Sequence, residues 1–139
     1  MNLNKIPPQI TVYGDQAWRG KCPLEVAEQV SFLCLLRAEF PKLAEIAVHI
    51  RNEGERTKRQ GAAQKAEGLN TGASDLLIPC TPSILIELKR RDHTQSSITD
   101  KQIKYLVNSE AMGSFACVAL GAIGAMEAVR SWHTINHQK

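Results

Sequence analysis

Three side chains in this chain have the types and spacing to do chemistry together: Asp75, Glu87 and Lys89. Glu87 and Lys89 sit in an otherwise apolar run, Ile84, Leu85, Ile86, Glu87, Leu88, Lys89, which reads as a buried strand. A carboxylate there is costly unless it has a partner or a route to water. Side chains alternate along a strand, so Glu87 and Lys89 face the same side. Asp75 opens a second apolar run twelve positions before Glu87. If the two strands pair, the carboxylates converge at one end of a sheet. Two carboxylates make a hard oxygen site suited to Mg²⁺ or Mn²⁺. A neighbouring ammonium can orient a water or offset charge on a phosphate. That combination fits metal-assisted phosphodiester hydrolysis, because a divalent ion answers both the anionic ester and its poor leaving group. A plain structural reading stands beside it, with Asp75 capping a turn and Glu87 pairing with Lys89 across strands at a sheet edge.

The elements that must position these residues are legible as a mixed pattern. The segment 5–23 carries Pro7, Pro8, Gly14, Gly20 and Pro23 and reads as an irregular arm. Leu24, Ala27, Val30, Leu33, Cys34 and Leu36 recur at helical spacing and predict a helix over 24–40 that Pro41 ends. The stretch 45–50 is β-branched and predicts a strand; Asn52 and Gly54 mark the turn after it. Residues 56–67 favour an exposed helix stopped by Gly68. Strands follow at 76–78 and 84–88. Thr99, Asp100, Lys101 and Gln102 have the form of a capping box opening a helix. A strand over 114–120 and a helix over 124–132, with Met126 and Trp132 in the core, complete the order α-β-α-β-β-α-β-α. That order predicts an α/β fold with a mixed central sheet flanked by helices.

A length of 139 residues fits one domain. The expected division is an arm over 1–22, a single domain over 23–133 and a flexible tail over 134–139. Net charge is only +3, but the basic residues cluster: Arg51, Arg56, Lys58, Arg59 and Lys65 in one stretch, Lys89, Arg90 and Arg91 in another. Such clusters suit a phosphate backbone; solvated charged loops would look the same. Cys22, Cys34, Cys80 and Cys117 are widely spaced, which speaks against zinc and disulfides. No apolar run approaches a membrane span and no leader opens the chain. The expected location is therefore cytoplasmic, with no membrane and no nucleotide cofactor involved.

The segments LEVAEQVSFLCLLRAEFP, HIRNEGERTKRQGAAQKAEGLNTGASDLLIP, ILIELKRRD and ITDKQIKYL resemble, in order and spacing, the VRR-NUC family of PD-(D/E)XK nucleases. The resemblance runs from about Pro23 to Trp132. It implies a restriction-endonuclease-like core in which Asp75, Glu87 and the Leu88 backbone carbonyl hold Mg²⁺ or Mn²⁺ and Lys89 is the active-site lysine. Gln102 matches the glutamine that follows the core motif, although as an N3 residue it can equally return a bond to Thr99. Glu28 matches a helix glutamate that completes a metal site, with Glu25 its rival; as a plain helix acid it needs no such role. Asn52, Gly54 and Arg56 match a turn near the site, and Lys58, Arg59, Lys65, Arg90 and Arg91 would contact DNA.

Two departures stand out. Ala73 and Ser74 replace the Val-Pro that usually precedes the aspartate, and Glu53 and Glu55 put acids into the turn. His49 and His93 are alternative bases, though lone histidines are more often structural.

The implied activity is a structure-specific DNA endonuclease, resembling a Holliday-junction resolvase that works as a homodimer. Alternatives are a flap-cutting or restriction-like nuclease of the same fold, or a DNA-binding accessory that does not cut.

Overall fold

In the computed structural model, which describes residues 1–50 and 72–137, the apolar runs pair into one sheet. Among these residues it has five strands: β1 (Thr11–Tyr13), β2 (Val48–His49), β3 (Leu76–Ile78), β4 (Ile84–Lys89) and β5 (Phe115–Leu120). Their order is β1-β5-β4-β3-β2. β1, β5 and β4 run parallel, while β4, β3 and β2 are antiparallel. β4 is central, which explains why all six of its residues are buried.

Helices cover both faces. On one, Phe32 and Leu36 of α1 (Glu25–Glu39) and Met126, Val129 and Trp132 of α4 (Gly121–Asn136) pack on Ile84, Ile86 and Leu88. On the other, Leu106 of α3 (Asp100–Ala111) packs with Leu85 and Val118. The alternation along β4 therefore sends Leu85, Glu87 and Lys89 toward α3, and this choice of face places the two candidate side chains. The expected core roles of Met126 and Trp132 hold, at 1% and 4% exposure.

Several expectations are corrected. The arm is not wholly irregular, because Thr11, Val12 and Tyr13 pair with Cys117, Val118 and Ala119 of β5. Pro41 does not simply end α1: it stands first in a short helix, α2 (Pro41–Ile46), where its fixed φ and missing N–H suit the N1 position. Glu45 and Ile46 are thus helical, and the strand shrinks to Val48–His49. The buried stripe of α1 is Glu28, Phe32 and Leu36, leaving Leu24 and Val30 67% and 60% exposed. α4 begins three residues early, at Gly121. The helix read over 56–67 lies outside the described residues. No helix among the described residues is long and apolar enough to cross a membrane.

Candidate active site

The β3–β4 register, Leu76 opposite Ile86, brings Asp75 beside the last residues of β4. β3 has run out at that point, so the Leu88 N–H has no strand partner there. Asp75 supplies one, its Oδ2 accepting from Leu88 N at 2.9 Å. In an extended strand a residue's N–H and C=O leave the same edge, so the Leu88 carbonyl also faces Asp75. The turn before Asp75 is pinned without a proline. Gly72 lies so close to α3 that an added Cβ would stand 2.7 Å from the Lys101 carbonyl oxygen. The buried Ser74 donates its hydroxyl to the Leu76 carbonyl at 3.3 Å.

Across the α3 face, Glu87 and Lys89 form an ion pair, Oε1 to Nζ 3.3 Å, with both side chains almost fully buried. Gln102 reaches in from the first turn of α3. Its Nε2 donates to Glu87 Oε1 at 3.0 Å and its Oε1 accepts from Lys89 Nζ at 3.4 Å. The same Oε1 accepts from the Thr99 N–H at 2.9 Å, while Thr99 Oγ1 accepts from Gln102 N at 3.1 Å. The capping box and the Glu87–Lys89 pair are therefore one network: Gln102 returns its bond to Thr99 and with the same amide bridges Glu87 and Lys89.

Glu87 Oε2 is buried with no hydrogen-bond partner among the described residues. Asp75 lies within hydrogen-bonding reach of Glu87, but two ionised carboxylates can only accept. Burial, then the Asp75 charge, raises the Glu87 carboxyl well above the ordinary carboxylate range, and Lys89 only partly offsets this. Burial likewise raises Asp75, against the Leu88 N–H that lowers it. Two acids and one ammonium leave a negative surplus in a nearly dry site, so Oε2 calls for a proton or a cation. The pairing of Glu87 with Lys89 runs along one central strand, not across a sheet edge. A bare structural ion pair gains little from a second, half-buried carboxylate beside it.

The other expected residues are placed as follows. Glu28 is buried with Oε2 against Gly121, whose φ of +72° and missing Cβ leave room for it. Glu25 is near enough for its charge to raise Asp75, and it accepts from Ser96 Oγ at 3.0 Å. Among the described residues, no three of His, Cys, Asp or Glu stand close enough to hold a metal ion by themselves. Arg90 donates to the carbonyls of Cys22 and Pro23 at 2.7 and 3.1 Å, and Arg91 stacks on Trp18. His93 is buried with its ring nitrogens at the Met1 carbonyl and Arg19, and His49 Nδ1 lies 3.3 Å from the Asp75 backbone carbonyl. Asn52, Gly54, Arg56, Lys58, Arg59 and Lys65 lie outside the described residues. Sequence reasoning missed Ser96, which accepts from Arg90 N at 2.9 Å and links that backbone to Glu25; an isolated serine in a loop carries no periodic signal.

No protein-family model matches the chain, and no curated protein does. A solved structure described as a VRR_NUC domain protein matches it with a TM-score of 0.66 at 18% identity, over 83% of this chain and 90% of that one. At that identity the likeness is one of fold. The chain has the mixed α/β, restriction-endonuclease-like arrangement of that protein.

Proposed function

We propose that this chain is a divalent-metal-dependent DNA endonuclease of the VRR-NUC kind, cutting phosphodiester bonds at Asp75, Glu87 and Lys89. One observation carries the reading: a buried Glu87 oxygen without a donor, beside a second carboxylate and an ammonium. A Mg²⁺ or Mn²⁺ ion suits that deficit. Asp75, Glu87 and the Leu88 carbonyl would hold it, with Glu25 or Glu28 completing the set from α1. Hard cations of this kind keep several waters, so a few protein oxygens suffice. A bound ion supplies charge on the phosphate and a more acidic water. Asp75 keeps its orientation through the Leu88 N–H. Lys89, held by Glu87 and Gln102, presents its ammonium where it orients the attacking water or offsets charge on the phosphate.

Branched DNA and a homodimer belong to the same reading. A domain with one site makes one nick, and symmetric resolution of a junction needs two sites about a twofold axis. A DNA-binding accessory that does not cut would gain nothing from burying carboxylates beside phosphate.

The test incubates purified protein with a labelled four-way junction, a flap, a nicked duplex and plain duplex, each in Mg²⁺, Mn²⁺ or EDTA, with Glu87→Gln alongside. Cutting that needs metal and Glu87 supports the chemistry, and paired nicks in the junction support the dimeric resolvase. Binding without cutting in any metal moves the protein to the accessory class.

A further inference from the structure

The segment leading into α1 is bound across the chain that leaves β4, at the end of the sheet where the carboxylates lie. Gly20 donates its N–H to Asp92 Oδ2 at 3.1 Å, and its carbonyl accepts from Gln95 Nε2 at 2.8 Å. Arg90 clamps the Cys22 and Pro23 carbonyls. Arg91 lays its guanidinium 4.2 Å above the centre of the Trp18 ring. Residues some 72 positions distant in sequence are thereby fixed immediately after Lys89.

The bonding sorts the cations of this rim into two kinds. Arg90 is spent inward, and Arg19 is taken up by Asp92, His93 and the Gln16 and Trp18 carbonyls. Lys21 and Arg91 are exposed, and neither pairs with an acid among the described residues. The Trp18 ring holds the Arg91 guanidinium from one side, and among the described residues no hydrogen bond takes up its N–H donors. The acids nearby are turned inward: Asp92 accepts four hydrogen bonds, from Gly20, Thr94 twice and Gln95, Glu25 is bonded to Ser96, and Glu28 is buried against Gly121. Two exposed cations without an acid partner, beside the candidate phosphodiester site, suit consecutive phosphates.

We propose that this strap is a DNA-backbone contact, in which Lys21 and Arg91 each take a phosphate of duplex flanking the scissile bond and Trp18 holds Arg91 in place. The assignment rests on the endonuclease reading. It is tested by the affinity of a fluorescent duplex in EDTA across a salt series, for wild type, Lys21→Ala, Arg91→Ala and the double variant. Each single change should weaken binding about 3–10-fold, and the double variant should flatten the log–log salt dependence by about 1.8, near 0.9 per phosphate lost. Both sites are exposed, and melting curves report that the variants fold. If wild type binds and cuts while the double variant matches it in affinity and slope, the strap is only a tether and the proposal is overturned with the endonuclease intact. If wild type neither binds nor cuts DNA, both fall together.

Discussion

Gln102 Nε2 stands 3.0 Å from Glu87 Oε1, and the orientation of that amide is set by a backbone group three residues away, the Thr99 N–H on Gln102 Oε1. The N-cap of α3 thus positions an amide that bridges the candidate carboxylate and lysine. Thr99→Val should cost about 1 kcal/mol of stability through the lost cap. The Thr99 N–H on the amide survives this change, but losing the Oγ1 bond to the Gln102 N–H loosens the first turn of α3 that carries the amide, so turnover should also fall, by about tenfold. Thr99→Ser should restore both, and substrate affinity should barely move. Steady-state kinetics with melting curves checks this; a stability loss with unchanged turnover would make the cap purely structural.

The buried carboxylates make the metal-free protein sensitive to pH. An ordinary glutamate releases its proton near 4.5, whereas in the fold Glu87 keeps it to about 8. Between those values the native state binds more protons than the unfolded chain, so stability falls as pH rises, by at most about 1.4 kcal/mol per pH unit for one proton. Asp75 is shifted the same way. Urea melts in EDTA from pH 5 to 8.5 should therefore show declining stability. Glu87→Gln should flatten the decline, and Mg²⁺ or Mn²⁺ should oppose it at pH 8 by binding the ionised pair. A profile that is flat or rising through this window rules the arrangement out.

The sequence reading brought Asp75, Glu87 and Lys89 together more securely than it placed the details of the scaffold around them, for physical reasons. Asp75, Glu87 and Lys89 stand out because charges in an apolar strand need an explanation, and strand alternation fixes their common face. The capping box is equally local, so α3 begins where Thr99 puts it. By contrast, α1 carries apolar residues around much of its circumference. The stripe read from Leu24 to Leu36 took in Leu36 but passed over Phe32; packing on Ile84, Ile86 and Leu88 buries Phe32 and Leu36 and leaves Leu24, Val30 and Cys34 exposed. β1 was hidden because three residues among prolines and glycines form a strand only when β5 offers an edge. The strap over β4 was hidden for a similar reason, since its bonds join positions about seventy apart and involve backbone carbonyls.

Arg90 separates tethering from DNA binding. Its guanidinium donates to the Cys22 and Pro23 carbonyls, so Arg90→Ala should strip two charge-assisted bonds from the strap. The expected cost is about 1–3 kcal/mol, read as a lower urea midpoint, with faster proteolysis within 14–23. Loss of DNA affinity should follow only as far as the strap is released. If stability is unchanged and affinity falls with a flatter salt slope, Arg90 touches phosphate directly and its inward bonds are incidental.

Asp75→Asn divides architecture from chemistry at the site itself. The amide oxygen of asparagine can still accept from Leu88 N–H, so the end of β4 should keep its edge bond and the variant should fold. One negative charge is removed from a buried surplus, and metal-free stability at pH 8 should rise. The same change takes away a hard anionic ligand, so divalent ions should no longer raise the melting temperature and cleavage should fall by at least about 10²-fold. Melting with and without Mn²⁺, beside a cleavage assay, reads all of this from one preparation. Full activity in Asp75→Asn, with metal still stabilising the fold, would place the reacting phosphate somewhere other than the mouth of β3 and β4.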